Sequence, residues 1–358
     1  MEDNEKLVLI NDRQNHTRQK LTELQALPLD RKVQLTQTRL IEWYNTWEGK
    51  CYLAFSGGKD STVLADIAAQ VCKIHCYELI LYFSDTGLEF PEIRKHVKDF
   101  KKYLENKYEI SIKLIIDYPK EYNKNTGKTE RVTFRKVIEK YGYPVISKEV
   151  AKRVSEYHNA ERKGTLEDSS AYKEFNGLLT KKDGSKSAYN KEKYKYLVDA
   201  PFKISHRCCH IMKKNPSRQF AKETGLKKIV GTMACESRAR QNVWILNGCN
   251  AFNADEPHSA PISFWTEQDI IEYILKNDIP YASVYGEIVQ NENGKYSFTG
   301  YQRTGCAYCA FGCHLEKEPN RFQQLKETHP KLYEYCMRPW DKGGLGMNDV
   351  LDYIGVKH

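Results

Sequence analysis

The sequence predicts an α/β protein built on a parallel twisted sheet with helices on both of its faces. Short apolar segments alternate with helical patterns along the first part of the chain, which is typical of parallel strands joined by helices. A glycine-rich turn at Gly57 and Gly58 separates the first apolar segment from the helical pattern after it. Hydrophobic residues make up 40% and charged residues 29% of the 358 residues, as in a folded globular protein.

The elements of this core follow one another along the chain. An amphipathic helix is predicted over residues 29–47, before the first strand. Apolar segments predict strands at 51–55, 79–83, 112–116 and 228–230. Helical patterns predict helices at 60–72, 91–108 and 265–275, the last with Thr266 as its N-cap.

A short loop between the first strand and the next helix carries residues suited to binding phosphate. Backbone N–H groups and the helix dipole converge at such a position. Glycines can adopt positive φ and admit phosphate oxygens, serine hydroxyls can donate hydrogen bonds, and a lysine can offset phosphate charge. The loop consists of Ser56, Gly57, Gly58, Lys59, Asp60 and Ser61.

This loop is not a Walker A motif. Leu53 stands where the first glycine of that motif would fall, and Asp60 follows Lys59 where the motif has Ser or Thr. A kinase-like NTPase is therefore disfavoured. The loop instead resembles the SGGKDS signature of the PP-loop superfamily, whose members commonly cleave ATP between the α- and β-phosphates, adenylate a substrate and release pyrophosphate.

Two further segments resemble the phosphoadenosine phosphosulfate (PAPS) reductase family. Residues 84–91 resemble the family's DTG…FPE segment and include Asp85, Thr86 and Gly87. Asp85 could accept a hydrogen bond from ribose or join a magnesium shell, or it could cap the next helix. Residues 231–240 resemble the family's Gly-x-x-x-x-Glu-Ser-x-x-Arg stretch.

The arginines of the second segment suit an anion site. Guanidinium groups bind phosphate or sulfate bidentately, so Arg238 or Arg240 could hold the far end of the nucleotide or the acceptor. Glu236 belongs either to the nucleotide site or to an ion pair with Arg240 on a helix surface.

From residue 51 to residue 275 the chain thus resembles a PAPS reductase-like member of the PP-loop superfamily, also called N-type ATP pyrophosphatases. The resemblance implies the adenine nucleotide alpha-hydrolase-like fold, with ATP and Mg²⁺ as ligands. It assigns catalysis to Lys59, Asp60, Asp85 and Arg238. The implied nucleotide-binding residues are Ser56, Gly57, Gly58, Lys59, Asp60, Ser61, Asp85, Thr86, Gly87, Gly231, Glu236, Ser237, Arg238 and Arg240.

On this interpretation we expect the chain to have three parts. Residues 1–48 form a helical extension, residues 49–275 the nucleotide-binding domain, and residues 276–358 a Cys-rich metal-binding segment. An insertion rich in Lys and Tyr interrupts the domain at about 118–200. The insertion is either a solvated elaboration or a surface for a large polyanionic substrate.

A tandem cysteine pair and a CxxC motif have spacings that serve either zinc or an iron-sulfur cluster. They resemble the CC…CxxC arrangement that carries a 4Fe-4S cluster in adenylylsulfate reductases, which implies Cys208, Cys209, Cys306 and Cys309 as ligands. Cys313 could replace one of the tandem pair. Zinc is the alternative metal, with His210 and His314 as further candidate ligands.

The sequence departs from the sulfonucleotide reductases at its end, because the Glu-Cys-Gly-(Ile/Leu)-His motif of the attacking cysteine is absent from it. The intact loop favours ATP instead. We therefore expect an ATP pyrophosphatase that adenylates a nucleic acid or another oxyanion for sulfur transfer. The alternatives are a PAPS or adenylylsulfate reductase using an unconventional thiol, and a non-catalytic nucleotide-binding module.

Composition also bears on partners and location. A net charge of +9 favours polyanions such as nucleotides or nucleic acid, although a solvated basic surface would have the same charge. A sulfur-donor protein such as a cysteine desulfurase would supply the sulfur. No apolar run is long enough to span a membrane and the N-terminus lacks a signal peptide, so we expect a cytoplasmic protein.

Overall fold

The computed structural model describes residues 16–123 and 126–358. The chain divides into two compact units, each made of several segments. The first unit comprises Met1–Asp85, Glu89–Asp117 and Ser217–Thr304, and the second comprises Thr86–Leu88, Tyr118–Pro216 and Gly305–His358. The three-part division expected from the sequence stays a prediction.

The described residues form both strands and helices throughout. The strands are β1 (Cys51–Ala54), β2 (Leu79–Ser84), β3 (Ile112–Asp117), β4 (Lys120–Asn123), β5 (Lys128–Arg131), β6 (Val145–Ile146), β7 (Lys227–Val230), β8 (Asn250–Ala251), β9 (His258–Ser259), β10 (Ile288–Gln290), β11 (Tyr296–Phe298) and β12 (Ala310–Phe311). The α-helices are α1 (Arg18–Gln25), α2 (Leu29–Thr46), α3 (Lys59–His75), α4 (Pro91–Tyr108), α5 (Phe134–Tyr141), α6 (Lys148–Arg162), α7 (Ser170–Phe175), α8 (Asn215–Thr224), α9 (Arg238–Asn247), α10 (Glu267–Asn277), α11 (Arg321–Thr328), α12 (Pro330–Met337) and α13 (Met347–Tyr353).

A six-stranded sheet in the order β3-β2-β1-β7-β9-β8 forms the centre of the first unit. Its strands are parallel, except that β8 pairs with β9 in the antiparallel direction. Leu53 in the middle of β1 stands opposite Leu81 on one side and Ile229 on the other. All three side chains are fully buried. The predicted α/β class with a parallel sheet flanked by helices is therefore confirmed.

Local sequence explains where the helices around this sheet begin and end. Helix α3 ends at Cys76, which takes the left-handed conformation as its C-cap. Helix α4 begins with Pro91, whose fixed φ suits a first turn. Helix α10 begins with a capping box in which Thr266 and Asp269 accept each other's backbone N–H groups. The capped start that the sequence predicts at Thr266 is thus confirmed.

The second unit contains the insertion and the C-terminal segment. Strands β4 and β5 form an antiparallel hairpin, which is not among the strands predicted from the sequence. Strands β6 and β12 pair in parallel, with Val145 opposite Ala310. Both of these residues are fully buried, so the two segments of this unit share apolar contacts.

Across residues 16–123 and 126–358, every helix is too short or too polar to cross a membrane.

Candidate functional site

The loop at residues 56–61 connects β1 to α3 in the first unit, as the sequence predicts. Gly57 has φ +72, and a Cβ there would lie 2.8 Å from Val97 Cγ2 and 2.9 Å from Ile93 Cγ2. Only glycine fits this conformation and this contact. Gly58 is the N-cap of α3 and has no side chain with which to cap the helix, so the start of α3 is suited to bind an anion.

A second close approach comes from the loop after β7. A Cβ at Gly231 would lie 3.1 Å from Ser61 Cα and 3.2 Å from Ser61 N. The main chain after β7 therefore packs directly on the start of α3. This contact brings the segment 231–240 to the loop, as expected for neighbouring parallel strands whose carboxyl ends share one edge.

The hydroxyl groups of the loop hydrogen-bond to one another. Ser56 Oγ lies 3.0 Å from Ser61 Oγ, and Ser61 Oγ donates to the Gly58 carbonyl at 2.9 Å. The Gly58 N–H donates to Ser56 Oγ at 3.3 Å. Two serines from opposite ends of the loop thus meet at one point and hold its shape.

Lys59 is buried in the loop, with 5% of its surface exposed. Its Nζ lies 3.3 Å from Asp60 Oδ1 and 3.4 Å from Glu267 Oε1. Burial alone would lower the pKa of Lys59, but the effects of Asp60, Tyr285 and Glu267 outweigh it and the pKa is raised. The ammonium therefore stays charged at the loop, where a phosphate would need it.

Asp60 shares this environment. Burial raises the pKa of its carboxyl group, and the positive charge of Lys59 opposes that shift. Asp60 Oδ1 is buried and forms an ion pair with Lys59 Nζ at 3.3 Å. A buried carboxylate beside the loop is suited to a further positive ligand, such as a metal ion.

Two hydroxyl groups that the sequence did not predict reach the loop. The Lys59 backbone N–H donates to the Tyr285 hydroxyl at 3.0 Å, and this hydroxyl lies 2.7 Å from Thr304 Oγ1. Tyr285 is 2% exposed. Because Tyr285 lies 226 positions from Lys59 in an irregular segment, no local pattern could have identified it. Glu267 was also missed, although it directly follows the predicted N-cap Thr266.

The segment after β7 forms a short turn and then helix α9. Glu236 accepts a hydrogen bond from the Met233 backbone N–H at 2.9 Å and forms an ion pair with Arg240. Ser237 caps α9 by accepting from the Arg240 backbone N–H at 3.3 Å. The ion pair considered in the sequence analysis is thus present, and Glu236 is held by groups of its own segment.

The two candidate arginines differ in their surroundings. Arg238, the first residue of α9, is exposed, and no hydrogen bond or ion pair of its side chain is found within the described part of the chain. Burial lowers the pKa of Arg240, the nearby charge of Arg303 lowers it further, and Asp60 opposes both. Arg240 is therefore within electrostatic reach of the loop carboxylate, and Arg303 is a third cation, which no sequence motif indicated.

Asp85 follows β2 at the same edge of the sheet. Its backbone N–H donates to the Asp117 carbonyl at 2.6 Å, which extends the pairing of β2 with β3. Its carboxylate forms an ion pair with Arg94 of α4. Arg94 was missed, although it lies in the first turn of a helix that the sequence predicted.

The two residues that follow Asp85, Thr86 and Gly87, belong to the second unit. Thr86 is 3% exposed, and its Oγ1 accepts a hydrogen bond from the Leu88 backbone N–H at 3.2 Å. Gly87 has φ +80, which favours glycine. These contacts define a tight turn at residues 86–88.

Four cysteines of the second unit line one small cavity of about 20 Å³, room for about one water molecule. Cys208 Sγ donates to Cys209 Sγ at 4.0 Å, and the Cys309 backbone N–H donates to the Cys306 carbonyl at 3.1 Å. The remaining lining is apolar apart from one lysine, and consists of Leu88, Phe134, Pro144, Met212 and Lys213. Residues about 100 positions apart in sequence are thus brought together.

The thiols of this cavity differ in acidity. The pKa of Cys209 is lowered, because its sulfur accepts the hydrogen bond from Cys208 and lies near Lys148, Lys213 and Lys214. The same hydrogen bond and burial raise the pKa of Cys208. Burial also raises the pKa of Cys309.

The other candidate ligands lie apart from this cavity. Cys313 is buried and its thiol donates to the Ala310 carbonyl at 3.0 Å. Neither Cys313, His210 nor His314 lines the cavity. In the part of the chain that the structure describes, no three His, Cys, Asp or Glu residues are arranged to hold a metal ion.

Comparison with known proteins identifies one family. The profile described as the phosphoadenosine phosphosulfate reductase domain matches residues 50–159 and 154–311. These matches together span more than half of the 358 residues and include the loop, the segment after β7 and the four cysteines of the cavity. A comparison with curated proteins gives no match.

Proposed function

The chain belongs to the phosphoadenosine phosphosulfate reductase family of sulfur-related, nucleotide-utilising enzymes, and we propose that this member is an ATP pyrophosphatase. In this proposal it adenylates a nucleic acid or another oxyanion so that sulfur can replace an oxygen. The loop at residues 56–61 carries the proposal, because it combines a helix start whose N-cap is a glycine with a buried, charged lysine.

The residues of the first unit have separate roles in this proposal. Amides at the start of α3 and the hydroxyls of Ser56 and Ser61 bind the β- and γ-phosphates, and Lys59 balances their charge. Arg238 and Arg240 stabilise negative charge on the α-phosphate or on the acceptor. Asp85 binds the ribose.

The reaction has two displacements. An oxygen of the acceptor bonds to the α-phosphorus, the bond to the bridging oxygen breaks, and pyrophosphate leaves with the electron pair. A sulfur nucleophile then bonds to the acceptor atom, and the adenylated oxygen leaves as AMP. The donor of that sulfur would be a protein such as a cysteine desulfurase. The cations around the loop stabilise both leaving groups.

Mg²⁺ fits the same site. This ion binds through one or two carboxylates together with substrate phosphates. Asp60, whose buried Oδ1 lies 3.3 Å from Lys59 Nζ, would supply such a ligand. Mg²⁺ would neutralise charge on the departing pyrophosphate.

The four cysteines of the second unit are the ligands we propose for a thiolate-bound 4Fe-4S cluster. All four line one cavity that contains no imidazole, which disfavours a zinc site with a histidine ligand. A cluster spreads its ligands over several irons, and it would hold sulfur or organise this region.

The distribution of charge supports a nucleic acid as the acceptor. Residues 118–216 contain 23 Lys and Arg and 12 Asp and Glu, a net charge of +11. Because the whole chain has a net charge of +9, the remainder has a net charge of −2. The positive charge therefore belongs to the insertion region, which suits a polyanion.

One observation disfavours the reductase alternative. Cys336 is the only cysteine of the sequence beyond Cys313, and it is fully buried in α12. Burial raises the pKa of its thiol, whereas attack on a substrate sulfur requires an accessible thiolate. Cys336 is thus poorly placed to act as an unconventional nucleophile.

The test is incubation of the purified protein with Mg²⁺, ATP labelled in its α-phosphate, single-stranded oligonucleotides and sulfide as the sulfur nucleophile, with PAPS in parallel. We expect labelled AMP together with pyrophosphate. Lys59→Ala should lose this activity, whereas Lys73→Ala, at the exposed end of the same helix, should retain it. Sulfite from PAPS without ATP cleavage would support the reductase, and ATP binding without turnover would support the non-catalytic module.

A further inference from the structure

Tyr285 is held rigidly at the phosphate loop by the segment that follows α10. It ends the 3₁₀ turn Ser283–Tyr285, and its carbonyl accepts a hydrogen bond from the Gly300 backbone N–H at 2.8 Å. Its ring packs against Phe298 with the ring centres 5.0 Å apart. Backbone and ring are both fixed, so the position of the hydroxyl oxygen is fixed as well.

This hydroxyl has two hydrogen-bond partners. The Lys59 backbone N–H donates to the Tyr285 oxygen at 3.0 Å. The phenol keeps its own proton, which it can donate to Thr304 Oγ1 at 2.7 Å. In that arrangement Thr304 keeps its own hydroxyl proton, for which no further acceptor is found in the described part of the chain.

Both hydroxyls lie next to the main chain of the loop. A Cβ at Gly58 would lie 3.2 Å from the Tyr285 oxygen, 3.3 Å from Thr304 Oγ1 and 3.4 Å from Ser56 Oγ. Three hydroxyl groups therefore surround the residue that caps α3. Thr304 is half-buried, so part of its surface is exposed.

We propose that Tyr285 and Thr304 form a hydroxyl relay that completes the phosphate site, a proposal that rests on the nucleotide site proposed above. Tyr285 accepts a hydrogen bond from the Lys59 amide and donates its own proton to Thr304, so the Thr304 hydroxyl remains a donor. Thr304 donates to a phosphate oxygen of the nucleotide, while Tyr285 is a positioning residue that orients Thr304 and the Lys59 amide. The ligand class is a nucleoside triphosphate or pyrophosphate.

The test measures the affinity of a non-hydrolysable ATP analogue with Mg²⁺ by calorimetry. Thr304→Val should weaken binding about ten- to hundredfold, as expected for losing a hydrogen bond to a charged group. Thr304→Ser, which keeps the hydroxyl, should bind within about threefold of the wild type. Tyr281→Phe is the matched control, because its hydroxyl donates to the Gly286 carbonyl in the same segment.

Tyr285→Phe tests the positioning role. It should weaken binding as Thr304→Val does, and the double variant should be no weaker than the worse single variant, because both changes interrupt one relay. Additive losses would overturn the relay, as would wild-type affinity in Thr304→Val. Absence of binding to the wild type would overturn the nucleotide site itself together with the relay. If Tyr285→Phe does not fold, the contrast between Thr304→Val and Thr304→Ser decides.

Discussion

At the scale of single residues, the phosphate loop depends on glycines that cannot be replaced. Gly57 combines a positive φ with a contact that would place a Cβ within 3 Å of Val97 and Ile93. Gly231 lies almost as close to the start of α3. Both positions are specified by packing between the loop and its neighbours, beyond any need for a flexible turn.

Gly57→Ala should therefore lower the free energy of unfolding by more than backbone strain alone would. A left-handed alanine costs about 1–2 kcal/mol, and overpacking adds about 1–3 kcal/mol. Gly225→Ala is the matched control, since Gly225 has φ +73 and no atom within 4 Å of its Cβ position. Urea denaturation should show the larger loss for Gly57→Ala, and equal losses would contradict the packing argument.

The local part of the candidate site could be predicted from the sequence. Residues 56–61 are contiguous, and their composition indicates a phosphate loop without any knowledge of distant contacts. Tyr285 and Thr304 could not be predicted, because they reach the loop from an irregular segment through tertiary packing. Arg94 could have been found, since its place in the first turn of a predicted helix puts it near the end of β2.

At the scale of elements, helices α2 and α10 are joined by a buried ion pair. Lys32 Nζ lies 2.7 Å from both carboxylate oxygens of Asp269 and donates to the Gln25 carbonyl at 2.7 Å. Asp269 also caps α10 through Thr266. One carboxylate thus fixes the start of α10 and anchors α2 to it.

Removing Lys32 should lower the free energy of unfolding strongly, because the buried carboxylate of Asp269 loses its counter-charge. Lys32→Met should lower the free energy of unfolding by about 3–5 kcal/mol. Lys276→Met, which breaks the exposed pair of Lys276 with Asp30 between the same two helices, should cost about 0–1 kcal/mol. Chemical denaturation of both variants checks this, and similar losses would count against a role for burial.

Long elements were predictable and short ones were not. The predicted helix at 91–108 agrees with α4, and the predicted strand at 79–83 differs from β2 only by Ser84. Strands β8 and β9 have two residues each, too few for any periodicity to indicate them. They form because the sheet offers an unpaired edge beside β7, which is a property of the fold and not of the local sequence.

At the scale of the whole molecule, the two units are interleaved in sequence. The second unit takes three residues, Thr86–Leu88, from between β2 and α4. Leu88 lines the cysteine cavity, and its carbonyl accepts from the Ala307 backbone N–H at 2.8 Å. Such an exchange of a few residues depends on tertiary contacts, so it could not be predicted from composition.

The proposed cluster predicts a property of the purified protein. Anaerobically purified protein should be brown and contain about four irons per chain. Cys306→Ser should lose the colour and destabilise the second unit, because the cluster would join segments about 100 residues apart. Cys72→Ser, in the core of α3, should keep the colour.

Cys313→Ser provides a second control from the same segment. Cys313 lies outside the cavity, so its substitution should leave the iron content unchanged, and loss of iron would make Cys313 a ligand in place of one of the tandem pair. Stoichiometric zinc without iron would contradict the cluster. It would leave the nucleotide site intact, because that site depends on other residues.

The uneven distribution of charge also governs how fast partners arrive. The second unit carries a net charge of +11 and the first a net charge of −2. Long-range attraction can raise association rate constants by about 10- to 1000-fold, and it fades as the screening length falls to about 8 Å at physiological ionic strength. A polyanion would therefore be steered towards the second unit before any specific contact forms. Encounter with a long acceptor would then slow markedly as ionic strength rises, even where the bound complex is held by short-range contacts that salt affects less.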